Sequence, residues 1–267
     1  MKDLCNAWSE AAPRQQQRIV ARALEKIAGP LRPIQLNETH AGAIVLDWKN
    51  RTKPMTAYNY AATLRQLLRF LKRGDIKLPH LRKPGPRTII ATPDELTRVL
   101  EHASPWMRVL LLLAAHAGLR ASDCLRAAPI HYDRENKTLN LYQQKTGTLA
   151  RLPLTDELTA TIEAIPADEP EKPLYAIVRG KTISKKGFCS AWNTLKKKSG
   201  VNPGLWIHDL RRTLAVSLYE VSKDLRVVEH MLGHRSLAST AQYLEHRDPQ
   251  MIKQVLDQLW KPKGPVQ

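Results

Sequence analysis

The sequence predicts a mostly α-helical protein with a small antiparallel β-sheet, an α+β architecture in two domains. Apolar residues recur at helical spacing through most of the chain, and strict alternation is confined to residues 130–154. A stretch rich in proline and glycine separates two periodic regions, and a length of 267 residues fits two domains. The predicted boundaries are a helical domain at 1–80, a linker at 81–90 and a second domain at 91–267.

The first domain is predicted to contain three helices, at Pro13–Ala28, Asn37–Trp48 and Lys53–Lys72. The third has apolar residues at helical spacing, and its opposite side is basic, with Arg65, Arg69, Lys72 and Arg73. A basic helix face of this kind fits a phosphate backbone, and the alternative is an ordinary solvated face.

Two helix starts open the second domain. Thr92-Pro93-Asp94-Glu95 supplies an N-cap residue, a proline at the first helical position and a capping-box glutamate, so a helix begins at Pro93. Ser104-Pro105 starts a second helix through the apolar run Val109–Ala115, which must be buried on nearly all sides. Gly118 can adopt the left-handed conformation that ends it.

Alternation then predicts a three-stranded antiparallel sheet. Its strands are Ile130–Tyr132, Thr138–Tyr142 and Leu149–Leu154, joined by turns at 133–137 and 145–148. Helical periodicity returns after Thr155 and predicts the remaining helices near 156–165, 184–198, 209–221, 224–232, 236–245 and 249–260.

The charge balance favours a polyanionic partner. The chain carries 42 Lys and Arg against 25 Asp and Glu, a net charge of +17. Residues 1–87 hold +11 of it, from 17 basic and 6 acidic residues. Since each cation that neutralises a phosphate releases a counterion, nucleic acid is the first partner to consider, ahead of a merely soluble basic surface.

Several other classes are disfavoured. The run Val109–Ala115 is far shorter than a membrane span, and the N-terminus lacks the apolar region of a signal peptide, so we expect a cytoplasmic protein. The three cysteines lack C-x-x-C spacing and are expected to be reduced packing residues. His230 and His234 have the i, i+4 spacing of zinc ligands, but no third ligand follows at a recognised spacing, so no metal is expected.

Several polar residues are each weak evidence for a catalytic site, but together they indicate one. Two arginines, a lysine, two histidines and a tyrosine are what an enzyme needs to attack a phosphodiester without a metal. The charge on the two nonbridging oxygens of a phosphate grows in the transition state, and planar guanidinium groups bind such oxygens through two hydrogen bonds.

Four motifs resemble those of the tyrosine recombinases, also called phage integrases. Ala117-Gly118-Leu119-Arg120 with Asp123 resembles the first arginine box, and Lys145-Thr146-Gly147 resembles the β-hairpin lysine. His208-Asp209-Leu210-Arg211 is similar to the H-x-L-R box. Leu232-Gly233-His234, with Tyr243 nine residues later, resembles the L-G-H box and the nucleophile. The matched region covers roughly residues 90 to 260, and the front helices resemble, less specifically, the SAM-like core-site-binding domain of the family.

The resemblance implies a site-specific DNA recombinase that works through a 3′-phosphotyrosyl intermediate, with no metal, ATP or other cofactor. Tyr243 would be the nucleophile, His208 its base, and Lys145 the general acid. Arg120, Arg211 and His234 would bind the phosphate, and Asp123 would orient the arginines. Apart from the resemblance, Arg212, Arg235 and Lys196–Lys198 are expected to contact phosphates or to lie solvated on the surface.

The same resemblance implies partners: duplex DNA, a homotetramer on two sites, and an accessory protein that sets direction. The amphipathic stretch 249–260 would dock on a neighbouring protomer, unless it packs on its own domain. A mobile element or phage would be the source, and the protein would work on the nucleoid. Two alternatives stay open: a catalytically silent DNA-binding regulator, and an enzyme like type IB topoisomerases that relaxes DNA.

Overall fold

The computed structural model describes residues 2–11, 15–29, 31–85 and 87–233. The chain forms two compact units, Met1–Gly85 and Pro86–Gln267. His234, Tyr243 and the helices expected near 236–245 and 249–260 lie outside the described residues. None of the helices within the described ranges combines the length and apolarity needed to cross a bilayer.

Four helices pack around one apolar core in the first unit. They are α1 (Lys2–Ala11), α2 (Gln15–Ala28), α3 (Glu38–Arg51) and α4 (Pro54–Phe70). The Asn37 side chain accepts the backbone N–H of His40 at 3.1 Å and caps α3. Helix α4 buries the apolar stripe that its spacing predicts, made of Ala57, Ala61, Leu64, Leu67 and Leu68. The three predicted helices are confirmed to within a few residues at their ends.

Helix α1 was not expected from the sequence. It packs on α2 and α4 and contributes Cys5 and Trp8 to the core. Two apolar anchors one turn apart are too few to produce a recognisable period, because periodicity needs several turns to stand out. The burial of α1 is therefore visible only in the folded unit.

The second unit is built around a central apolar helix. Its helices are α5 (Pro93–His102), α6 (Pro105–Ala115), α7 (Ala121–Cys124), α8 (Asp156–Glu163), α9 (Leu174–Arg179), α10 (Lys185–Ser199), α11 (Ile207–Ser222) and α12 (Leu225–Leu232). Helix α6 is surrounded by α7, α8, α9 and α11, and its residues from Val109 to Ala115 are buried, as predicted. The short helices α7 and α9 were not predicted, since four and six residues carry no clear period.

Local signals set the ends of these helices. At the start of α5, Glu95 N–H donates to the Thr92 hydroxyl at 3.1 Å and Thr92 N–H donates to the Glu95 carboxylate at 3.0 Å, which confirms the capping box. Gly118 has φ +64, and a Cβ there would lie 3.0 Å from Leu214 and 3.1 Å from Leu232. The left-handed backbone therefore favours glycine at this turn, and a side chain would also press on the two leucines.

The antiparallel sheet has the order β1 (Tyr132–Asp133), β2 (Thr138–Tyr142), β3 (Leu149–Pro153). In β2 and β3 the pairs Leu139 with Leu152 and Leu141 with Ala150 face the core. The first strand begins later than predicted. Residues Pro129–His131 form a 3₁₀ turn instead, which agrees with a proline at the first position of that turn.

Candidate active site

Arg120 is placed by the turn that ends α6. It follows Gly118 and Leu119 and is the N-cap residue of α7. Its backbone carbonyl accepts the N–H groups of Asp123 and Cys124, which fixes the direction in which its side chain leaves the backbone. Its half-buried guanidinium donates to the side-chain oxygen of Gln143 at the end of β2. The first arginine box is thus connected to the β-hairpin by a direct hydrogen bond.

Lys145 lies exposed in the turn between β2 and β3. Two backbone hydrogen bonds close this turn, from Gln143 N–H to Thr148 at 2.9 Å and from Gly147 N–H to Gln143 at 2.8 Å. A third contact comes from outside, because the buried Asp123 carboxylate accepts the backbone N–H of Gln144 at 2.9 Å. Asp123 was expected to orient the arginines, and this bond also connects it to the residue before Lys145.

Helix α11 carries His208 and Arg211 three residues apart. The buried Asp209 carboxylate accepts the backbone N–H of Trp206 at 2.7 Å, so it caps the helix start. It also forms a two-pronged ion pair with Arg87, with contacts of 2.7–3.0 Å. The hydrogen bonds with Asp209 raise the pKa of Arg87, so this guanidinium stays protonated. Together these contacts anchor the first turn of α11, on which His208 lies.

Arg211 is fully buried. One arm of its guanidinium donates to the carbonyl of Gly118, and the other donates to the carbonyl of Leu232 at 2.7 Å. Gly118 lies two residues before Arg120, and Leu232 ends α12 immediately before Gly233. A buried guanidinium needs such acceptors, since an unpaired buried charge is strongly destabilising. Arg211 therefore joins three of the four segments that carry the predicted motifs, all except the β-hairpin.

Three of the predicted catalytic residues line one cavity of about 670 Å³: Arg120, Lys145 and His208. Lys185, Trp192 and Trp206 contribute further charge and aromatic surface to its walls. The cavity therefore combines several cationic groups with aromatic surface, a setting suited to an anionic oxygen such as that of a phosphodiester. Within the described ranges, no cluster of three His, Cys, Asp or Glu side chains could hold a metal ion.

The environment lowers the pKa of His208 to about 4. The main cause is desolvation by the surrounding protein, although the residue keeps an exposed surface, and the charges of Arg211 and Arg120 add to it. The imidazole is therefore neutral at pH 7, and a neutral imidazole has one ring nitrogen that can take up a proton. A phosphate bound beside it would oppose these effects and stabilise the imidazolium that forms on proton transfer.

The predicted DNA-contacting residues divide into two groups. Arg65, Arg69 and Lys72 are exposed at and just after the end of α4. Arg73 instead donates to the carbonyls of Pro33, Ile34 and Leu36 and pairs with Asp75 at 2.8 Å. It holds its own unit together, so the structure does not support its predicted place on the basic face.

Arg212 and Lys196 also differ from their predicted surface positions. Arg212 is only 9% exposed, and Lys196 is 7% exposed, with its ammonium donating to the carbonyl of Pro203 at 2.7 Å. Burial lowers the pKa of Lys196. Cys5 and Cys124 are buried free thiols, as expected, whereas Cys189 is exposed.

Sequence reasoning missed two contributors to the site. Gln143 and the Arg87–Asp209 pair are ordinary residues in the sequence, and only the folded chain brings each to its partner. The partners are 23 residues apart for Gln143 and Arg120, and 122 for Arg87 and Asp209. No local pattern encodes contacts over such separations.

Comparison with known proteins identifies the class. The model of the phage integrase family matches residues 89–250, which is more than half of the chain. The chain therefore belongs to the phage integrase family, and it is a tyrosine-type site-specific recombinase.

Individual relatives agree with this family. The tyrosine recombinase XerC of Rickettsia prowazekii is 28% identical over 229 residues, covering 76% of this chain and 74% of XerC. Among solved structures, a lambda integrase dimer bound to a COC′ core site shares the fold with a TM-score of 0.73 at 19% identity, covering 100% of this chain and 99% of the other. The Tn1549 transposon integrase in complex with transposon right end DNA has a TM-score of 0.72 at 14% sequence identity, and the match covers 96% of this chain and 99% of the other.

The lowered pKa of His208 predicts a specific acid response. Between pH 6.5 and about 4 the unfolded chain takes up a proton at His208 while the folded chain does not, so this residue removes stability as pH falls through that window. Relative to His208→Asn, the wild type should lose about 1 kcal/mol of unfolding free energy between pH 7.5 and 4.5, after discounting for the exposed imidazole surface. Urea unfolding of both proteins at both pH values measures this loss of free energy. An equal change with pH in the two proteins would contradict the prediction.

Proposed function

We propose that the chain cuts and rejoins duplex DNA by transesterification through a 3′-phosphotyrosyl intermediate. The observation that carries the proposal is the cavity shared by Arg120, Lys145 and His208, with Arg211 buried next to His208 on α11. These side chains come from three separate segments of the chain, and their functional groups are those that phosphoryl transfer without a metal requires.

Each residue has a distinct role in this reaction. The Tyr243 oxygen attacks the scissile phosphorus, and the neutral His208 accepts the phenolic proton. The phenol needs such a base because the pKa of a free tyrosine is near 10. Arg120 and Arg211 supply positive charge to the phosphoryl oxygens, and His234 donates a hydrogen bond. The buried Arg211 acts over a longer range and through the backbone it holds.

Lys145 completes the first step by giving a proton to the departing 5′-oxygen. Its place at the tip of a closed hairpin turn supports this role, because the turn presents the ammonium to the cavity that Arg120 and His208 line. The phosphotyrosyl bond conserves the energy of the broken phosphodiester. A 5′-hydroxyl of the partner strand then attacks phosphorus, releases Tyr243 and takes its place, without ATP.

Binding of duplex DNA is assigned in part to the first unit, as a core-site-binding domain. Arg65, Arg69 and Lys72 provide exposed cations on and beside one helix, and residues 1–87 carry most of the net charge. Residues 91–267 would form the catalytic domain, connected to it by a linker at 81–90.

Recombination needs two sites held together, so a homotetramer on DNA is part of the proposal. A lambda integrase tetramer bound to a Holliday junction shares the fold, with a TM-score of 0.72 at 18% identity, which supports this arrangement. The segment 249–260 would dock on a neighbouring protomer, and an accessory protein would set direction. The source would be a mobile element or phage, and the protein would act on the nucleoid in the cytoplasm.

The nucleophile assignment has a direct test. Wild-type protein incubated with fragmented DNA from its source organism and quenched in SDS should retain DNA covalently at one inverted-repeat site. Tyr243→Phe should bind the same DNA and retain none, because it lacks the attacking oxygen. Sequencing of the retained DNA measures both. Retention by the variant would contradict the assignment, and retention by neither would favour the silent regulator.

The basic face of α4 predicts a change in salt dependence. Arg65→Ala with Arg69→Ala should lower DNA affinity and reduce the slope of log K against log salt by about 2, since each lost phosphate contact removes roughly 0.9. The matched control is Arg22→Ala with Lys26→Ala, which removes two exposed cations at the same i, i+4 spacing on α2. Titration of labelled duplex at several salt concentrations measures the slopes, and equal slopes for the two double variants would refute the predicted face.

A further inference from the structure

Gln143 directly follows β2, and its side chain is turned into the protein, where it is 1% exposed. Both the oxygen and the nitrogen of its amide form hydrogen bonds. The oxygen accepts the guanidinium N–H of Arg120 and the hydroxyl of Thr146 at 3.3 Å, and the nitrogen donates to the carbonyl of Leu232 at 2.9 Å. One neutral side chain thus touches the first arginine box, the lysine hairpin and the end of α12.

The end of α12 closes tightly on this amide. Gly233 has φ +58, and a Cβ added there would lie 2.5 Å from the Gln143 nitrogen. A side chain at position 233 would therefore displace Gln143. Glycine at this position serves the left-handed helix end and also gives the amide its space.

Leu232 joins this amide to the second arginine. Its carbonyl accepts from Gln143 at 2.9 Å and from Arg211 at 2.7 Å. A continuous set of hydrogen bonds therefore runs from Arg120 through Gln143 and Leu232 to Arg211. These hydrogen bonds couple the positions of the two arginines. If the Gln143 amide moved, buried donors and acceptors would be left unpaired, so the observed arrangement is favoured.

We propose that Gln143 is a positioning residue that fixes Arg120 and the lysine hairpin relative to the end of α12. The inference rests on the proposed function, in which Arg120 and Lys145 act on one phosphate and the nucleophile follows α12. An amide suits this place better than a carboxylate, since it holds the guanidinium without neutralising the charge intended for the phosphate. A displacement of about 1 Å at such a site can lower a reaction rate about 100-fold.

The test compares Gln143→Leu with wild type and with Ser199→Ala. Leucine has a similar size and makes no hydrogen bond. Ser199 is a matched control, because it is a buried polar residue of the same unit whose hydroxyl donates to Leu195 at 2.9 Å and which is not among the residues that line the cavity. The probe is the duplex site recovered by covalent capture with the wild-type protein. DNA affinity and single-turnover formation of the covalent adduct are measured for each.

Gln143→Leu should bind this duplex within about 3-fold of wild type and form the adduct about 10- to 100-fold more slowly. Ser199→Ala should match wild type in both. Gln143→Glu, which keeps an acceptor for Arg120 but places a carboxylate oxygen against the Leu232 carbonyl, should also be slow. Adduct formation by either Gln143 variant at the wild-type rate would overturn the proposal.

A double-mutant cycle separates positioning from general loss of structure. In an Arg120→Lys background, where the geometry of the guanidinium is already lost, Gln143→Leu should slow adduct formation by a smaller factor than in the wild-type background, because only its hold on the lysine hairpin is left to lose. An equal loss in both backgrounds would show that Gln143 does not act through Arg120, and would contradict the proposal.

A second measurement needs no reaction. Gln143→Leu should raise the rate of trypsin cleavage after Lys145 about 10-fold, because the hairpin loses its anchors to Arg120 and Leu232, and Ser199→Ala should not. An unchanged cleavage rate would overturn the anchoring. If wild-type protein forms no covalent adduct at all, the proposed function fails, while this measurement still decides whether Gln143 holds the hairpin.

Discussion

The site depends on one buried cation. The guanidinium of Arg211 is removed from solvent and donates to the carbonyls of Gly118 and Leu232, so the turn before Arg120 and the end of α12 must meet at α11. A buried charge leaves little freedom, because losing either acceptor would expose the desolvation penalty of the ion. Gln143 extends the same set of bonds to the β-hairpin. Residues distant in sequence thereby share one rigid frame.

This frame also sets the electrostatics of the cavity. Desolvation of His208, to which the positive charges of Arg211 and Arg120 add, lowers the pKa of the imidazole to about 4. The free site thus combines fixed cations with a neutral base, which is the state that accepts an anionic phosphate and then a proton. Asp209, which follows His208 in the chain, anchors the start of α11 and is itself paired with Arg87. Its charge opposes the lowering of the His208 pKa and does not overcome it.

The sequence predicts those features whose signals are local. Periodicity places α4, an apolar run after Ser104-Pro105 places α6, alternation places β2 and β3, and capping chemistry places the start of α5. Orientation of charged side chains could not be predicted the same way. Arg69 and Arg73 are four residues apart, but α4 ends at Phe70 and Lys72 has φ +57. Arg69 is therefore exposed, whereas Arg73 is bound to three carbonyls of another segment. Arg212, Lys196 and Gln143 show the same limit, since tertiary contacts decide their burial.

The central claim is that Arg211 joins the turn at Gly118 to the end of α12. Hydrogen exchange of Arg211→Lys tests it directly, because a lysine keeps the charge but lacks the planar fork that reaches two carbonyls. The amides to follow are those of Leu119 and Gly233, which donate to Leu113 and His230 at 3.1 Å each. The account predicts that both exchange about 10-fold or more faster in the variant. Unchanged exchange, or a change at one amide alone, would contradict it.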